Sequence, residues 1–380
     1  MRLYAPDIFT DFVCSGSDCT DNCCTIGWDI EIDDKTLAFY KSLDSELGKR
    51  IAANIYEEDG CHYMGQEGGC PFMNENGLCS VQLEYGEEHI SDICREHPRF
   101  YEWFGDYKEA GVGLSCEKTA QMLTEHTAPI LFTERQINEE PDDLEFDGNL
   151  LNGVKNIRDR LIEILQNRGY TVCERLGIML CACGDIQQAV DTEDCRRLKQ
   201  LSGMLAIEGF LLEIISEAEC VDSLKKSEVY GELAEKFLQM EYINSDLKER
   251  FVYIRDNIDR ILYAEKQFDK AYRDSSFELE HIAVYFIYRY LIKAVRDYDI
   301  EGRIYSAVIC TMMIRMLFMA EFSESGELPR KEQRAFLIKE FSKEIEYSAE
   351  NMDMLYDYIY EKCDGNRLFE QLKTVIFGDE

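Results

Sequence analysis

Eight cysteines in the first 120 residues have the types of neighbour and the spacing that hold a metal centre. Cys14, Cys19, Cys23 and Cys24 form a C-x4-C-x3-C-C run, and Cys70, Cys79, Cys94 and Cys116 follow. A metal site needs several thiolates converging on one point, and glycine-rich loops let the backbone turn tightly enough to present them. The surroundings suit such a role, because VCSGSDCTDNCC, GGCPFM and NGLCSV are small, polar and turn-forming. Structural cysteines sit among apolar neighbours instead, as Cys181 and Cys183 do in LGIMLCACGDI and Cys310 does in AVICTMM. Cys61, in DGCHYM beside His62, is left out of the ligand set. Cys173, Cys195, Cys220 and Cys363 are scattered singly and carry no pattern.

Two metals compete for this constellation. Zinc ribbons favour C-x2-C knuckles, and none occurs among the eight. Thiolate-only ligation at wider spacings is usual for iron–sulfur clusters, so the pattern leans to iron and sulfur with zinc as the alternative. Eight thiols exceed one four-ligand site, so there are two sites or some thiols are neighbours rather than ligands. The side chains of adjacent Cys23 and Cys24 are expected to diverge.

Other chemistry-bearing residues are fewer. The histidines are His62, His89, His97, His126 and His281. His97, in CREHPRF, lies three residues after Cys94, and ligand, catalytic and packing roles are all open to it. Arg95 and Arg99 flank it and can pair an anionic group of a ligand or the acidic surface. GVG at 111–113 is too short to mean nucleotide binding, and neither GxGxxG nor a P-loop is present. The C-x3-C-x2-C spacing of radical enzymes is also missing.

The elements that must position these groups change character along the chain. Residues 127–153 contain two prolines and an acidic run and read as a connection. Beyond them the pattern is helical. In VKNIRDRLIEILQNRG (154–169), Val154, Ile157, Leu161, Ile164 and Leu165 share a face, with Gly169 placed as a C-terminal cap. Similar stripes recur at 196–216, 230–240, 246–265, 278–297, 304–322 and 331–347. The stretch 278–297 is apolar nearly all round and should sit centrally. Near the start, WDIEID (28–33) alternates as a strand does, and 33–56 reads as a helix capped by Asp33 or Asp34. The expected fold is predominantly α. An irregular, metal-stapled cysteine-rich module (1–126) is joined by 127–153 to a multi-helix domain (154–380).

Charge narrows the partners. The chain carries 75 acidic and 41 basic residues, a formal charge of −34. Residues 1–120 hold 24 acidic and 9 basic residues, a net of −15, and the other 260 carry −19. Such a field repels a phosphate backbone and attracts cationic surfaces, so nucleic acid is not an expected partner and exposed lysines on a protein are. The start has no apolar run, so it is not read as a signal peptide. The apolar stretch 304–322 has Arg315 in its middle and reads as a core helix rather than a membrane span. The expectation is a soluble cytoplasmic protein whose cysteines are not disulfides.

Three blocks together, FVCSGSDCTDNCCTIGWDIEID, GGCPFMNENGLCSVQLEYGEEHISDICREHPR and GVGLSCEKTA, resemble the flagellin lysine N-methylase family. That family is related to the broader zinc- or iron-chelating cysteine-cluster proteins. The resemblance covers roughly residues 1–120 and shares the eight cysteines, with Cys61 outside. It implies methyl transfer from S-adenosylmethionine to surface lysines of flagellin or another lysine-rich protein, and an iron–sulfur cluster of the four-iron, four-sulfur type. The amine must lose a proton before attacking the sulfonium methyl, so a base or a desolvating pocket is needed. Tyr85, Glu87 and His97 lie in the matching block as candidates, and Arg95 and Arg99 as candidates for the methyl donor. The competing reading is a module binding iron–sulfur or zinc for electron transfer, metal delivery or docking, without methyl transfer.

Overall fold

Alternating burial shows why the chain begins with a strand: Leu3 and Ala5 turn one way while Tyr4 turns the other, toward the helices. The computed structural model describes residues 1–25, 29–65, 69–142, 144–218, 225–363 and 366–378, apart from the side chains of Ala218 and Cys363. Its strands are β1 (Arg2–Pro6), β2 (Ile30–Glu31), β3 (Ile55–Glu58), β4 (Cys61–Met64), β5 (Arg99–Phe104), β6 (Tyr107–Val112) and β7 (Phe132–Gln136). They form a four-stranded sheet, order β5-β6-β1-β7, and a three-stranded sheet, order β2-β4-β3. β1 runs parallel to β6 and antiparallel to β7, so the first residues close a sheet whose other members lie a hundred residues on. Two hairpins turn where glycine is needed. Gly105, at φ +59°, joins β5 to β6, and Asp59 and Gly60, both at positive φ, join β3 to β4.

The rest is mostly helical, as expected. The helix Gly148–Leu165 buries Val154, Ile157, Leu161, Ile164 and Leu165. It begins earlier than the periodicity suggested, because Asp147 accepts from the backbone of Asn149 and Leu150 and so caps it. It also ends earlier, at Gln166, so Gly169 is not its cap. The stretch expected as a connection therefore supplies β7 and the first turns of this helix. Residues 33–56 are not one helix. Asp33 caps Asp34–Lys41 as expected, Ser45 caps a second helix, Glu46–Ala53, and the chain then turns into β3. Of the WDIEID strand, Ile30 and Glu31 are paired in β2, and Trp28 lies outside the described residues. So do residues 66–68 of the GQEGGC turn and Cys220.

Two helices form the centre. Phe277–Tyr290 is buried over most of its surface. Glu301–Ser325 is long and apolar enough to cross a membrane, but it lies inside the fold. Its Arg315 is neutralised by Glu265 at 2.8 Å and Asp269 at 2.5 Å. Cys183 and Cys310 are fully buried in this main core, where the sequence placed them. The cysteine-rich part has a separate small core of Ile30, Ile32, Leu37, Tyr40, Ile51, Met64, Phe72, Val81 and Ile90. Polar ties join the two parts. Glu117 accepts from the Thr20 and Asp21 backbone at 2.9 and 3.1 Å, and the Asp21 carboxylate meets Lys339 and Lys343.

Candidate functional site

The eight cysteines fall into two groups. Cys70, Cys79 and Cys94 pack on the small core, and the Cys70 N–H donates to the Cys24 carbonyl at 2.6 Å. A bridge between Met73 and Cys79 folds the CPFMNENGLC loop back on itself. The thiols act on one another: Cys24 raises Cys70, while the Cys70 thiol in turn lowers Cys24 against a stronger upward push from Cys23. Cys24 is pushed up to about 12, first by the Cys23 thiol, with burial and Cys94 adding. Cys70 is raised first by Cys24 and then by burial. Cys94 is pushed up to about 11 by burial, with Cys70 and Cys79 adding. The second group is Cys14, Cys19 and Cys116. Burial, then Cys116, Glu117 and Cys14, push Cys19 up to about 11. Cys116 stands at the start of the helix Glu117–Glu125.

Thiols that hold each other protonated release their protons when a cation arrives among them. The donor set therefore suits a soft metal centre in the chemistry of its side chains. Among the described residues, no three His, Cys, Asp or Glu side chains are drawn together tightly enough to be a metal site as they stand. Contrary to the expected divergence, the Cys23 and Cys24 thiols interact directly. Cys61, left out of the ligand set, lies in β4 opposite Glu58.

The candidate catalytic residues separate. The Tyr85 hydroxyl meets Ser45 at 2.6 Å and its ring lies against Phe39, so it braces the small core. Glu87 is exposed in the turn Glu87–His89. Arg95 is engaged by Asp92 and by Glu96 at 3.4 Å, and Arg99 lies over the Phe12 ring at 5.2 Å. His97 alone reaches the boundary with the helical part, where its ring stands 6.4 Å from Tyr347. Burial, and then Arg289, lower its pKa to about 4, so its imidazole is neutral at physiological pH.

At that boundary is a cluster the sequence reading missed. The guanidinium carbon of Arg289 lies 4.5 Å from the Phe100 ring centre, 4.8 Å from Tyr347, 5.2 Å from Tyr290 and 5.8 Å from Tyr285. Beneath it the buried Glu346 carboxylate sits 2.9 Å from Arg289 and accepts from Tyr285 at 2.5 Å, Tyr290 at 2.7 Å and Ser342 at 2.5 Å. Phe100 comes from β5, and Tyr285, Arg289 and Tyr290 come from the central helix. Glu346 closes a π-helical turn, Ser342–Glu346, a distortion of the kind that gathers at functional sites.

The GVG triplet explains how the box fits together. Phe100 pairs with Gly111 across the hairpin, and a Cβ on Gly111 would lie 2.2 Å from its ring. A Cβ on Gly113 would lie 1.7 Å from the Tyr347 hydroxyl. Both glycines are required by close approach, not by backbone angle. Behind Phe100 and Tyr285 is an apolar cavity of about 30 Å³, the size of one water, also bounded by Val112, Leu114 and Tyr288. The assembly can hold a cation between four rings and over a buried carboxylate, next to a neutral imidazole.

Compared with known families, residues 158–368 match the family described as FliB lysine N-methylase C-terminal domain. That is more than half of the chain, and it is the helical part, whereas the sequence resemblance lay in the cysteine-rich part. No curated protein and no solved structure matches the chain.

Proposed function

The chain belongs to the FliB lysine N-methylase family, and from that premise we propose that it methylates lysine side chains of flagellin, with S-adenosylmethionine as methyl donor and an iron–sulfur cluster held by its cysteines. The observation that carries this reading is the family match over residues 158–368. The net charge of −34 supports it, because an acidic protein draws in a lysine-bearing partner.

Bound S-adenosylmethionine supplies an electrophilic methyl group. The lysine nitrogen forms the new N–C bond as the C–S bond breaks, and its proton must leave first. Of the candidate bases, His97 is the one placed at the boundary with the box, its ring 6.4 Å from that of Tyr347. A pKa lowered to about 4 makes it a weak acceptor, so desolvation of the lysine must supply most of the drive to lose that proton. Of the two arginines expected at the donor, Arg95 is held by Asp92 and Glu96, which leaves Arg99 to meet the donor's carboxylate.

Cys24, Cys70, Cys79 and Cys94 are the residues that would hold the cluster, because the last three pack on one small core and Cys24 is tied to Cys70 through both backbone and thiol. A cluster bound there supplies a cross-link between loops far apart in sequence. Cys14, Cys19 and Cys116 form the second thiol group, and Cys23 meets Cys24 of the first.

The test is purification without oxygen, iron and sulfide analysis, and incubation with S-adenosylmethionine and flagellin from the same source. Methyl incorporation on lysine, read by mass spectrometry, is the expected result. A protein with its metal intact that labels no lysine would refute the reading.

A further inference from the structure

We infer that the aromatic box around Arg289 is the receptor for an aliphatic ammonium, the side chain of the lysine to be methylated; this rests on the methyltransferase reading above. The box already holds a cation, with four ring centres 4.5 to 5.8 Å from the Arg289 guanidinium carbon. All four lie within the roughly 6 Å over which a ring face attracts positive charge.

The carboxylate beneath the rings makes positive charge a requirement. Glu346 is buried, and an ionised carboxylate in such a place is costly without a cation beside it. Its remaining acceptor positions are taken by Tyr285, Tyr290 and Ser342, so the hydroxyls and the carboxylate are fixed before any ligand arrives. What the box needs is one positive group, supplied from the chain or from a ligand.

Arg289 holds that place through Glu346 and through the Tyr285 and Tyr347 hydroxyls, the same acceptors that an entering ammonium would use. It extends from the last turn of the central helix on a long side chain and is partly exposed, as are Tyr290 and Tyr347. A lysine entering from the same side can exchange with it while the walls stay put. Arg289 then serves as a resident plug that neutralises Glu346 when no substrate is bound. The walls are flat and aromatic, so methylated ammonium, larger and less hydrated than the bare group, fits the same space.

The test uses the full chain with its metal, and binding rather than turnover. One peptide carries ε-trimethyl-lysine, and a second carries the neutral isostere in which carbon replaces that nitrogen. The cationic peptide should bind roughly tenfold more tightly in calorimetry. Tyr290→Leu and Phe100→Leu should each remove most of that preference. Tyr290→Phe, which keeps the ring, should retain it, and Tyr263→Leu on the exposed surface should change nothing. Equal affinity for the two peptides, no binding of the cationic one, or a preference that survives in folded Tyr290→Leu and Phe100→Leu would each overturn the inference. The readouts separate the two claims. Box-dependent ammonium binding without methyl transfer removes the enzyme reading alone. Methyl transfer with an unchanged KM for flagellin in Tyr290→Leu removes the box alone.

Discussion

Replacing Arg158 with methionine should destabilise the protein by about 3–5 kcal/mol, the cost of leaving a buried charge without its partner. The guanidinium has no exposure and the Glu109 carboxylate only 3%. The pair is bidentate, at 2.5 and 2.6 Å, and Tyr107 donates to the same carboxylate at 2.5 Å. It joins the helix Gly148–Leu165 to β6, the strand that also carries Gly111. For a chain of 380 residues, an unfolding entropy of about 2.1 cal/mol/K per residue sums to roughly 0.8 kcal/mol/K. The expected fall in Tm is therefore about 4–6 °C. Thermal melts followed by circular dichroism measure it. Adding Glu109→Gln removes the stranded charge while keeping an acceptor for Tyr107, so the double variant should recover most of the loss. A fall of under about 1 °C, or a double variant worse than the single one, would refute the claim that this pair is desolvated.

Three further outcomes follow from the site. His97 has its folded pKa lowered to about 4, against about 6.5 unfolded, so its contribution to stability is present above pH 6.5 and lost as pH falls toward 4. At roughly 1.4 kcal/mol per unit, and allowing for its partial exposure, about 1–3 kcal/mol is at stake. His97→Gln should flatten that slope in denaturant titrations at pH 7 and pH 4.5, and equal slopes would contradict the assignment. Gly113→Ala must displace the Tyr347 hydroxyl and should cost about 1–3 kcal/mol as well as ammonium binding, whereas Gly184→Ala, with open space around it, should be neutral or stabilising. Serine in place of Cys24, Cys70, Cys79 or Cys94 should abolish iron content and visible absorption, while Cys61→Ser and Cys183→Ala leave both intact; full metal content in Cys70→Ser would break the proposed grouping.

How far the fold was legible varies by element. The stripe from Val154 to Leu165 was readable because helical period is a local property, and all five marked residues are buried. Cys183 and Cys310 were readable as core because their neighbours are apolar. The helix ends were less so: a cap depends on one side chain such as Asp147 or Ser45, and periodicity does not register it. The Asp59-Gly60 dipeptide is a hairpin signature lying just beyond the 33–56 stretch that reads as a helix, and β3 takes the last two residues of that stretch.

By itself, the sequence determined the helical class, the family resemblance and the set of eight grouped cysteines, because each is carried by residue type and short spacing. Only the tertiary structure decided which thiols neighbour which, since Cys24 and Cys70 are brought together by a backbone bond across 46 positions. It alone assembled the box from three separate parts of the chain: Phe100 on β5, Tyr285, Arg289 and Tyr290 on the central helix, and Glu346 and Tyr347 at the end of the π-helical turn. In the sequence, each of these reads as ordinary packing. The attraction between a cation and a ring depends on distance through space, and chain spacing does not encode that distance.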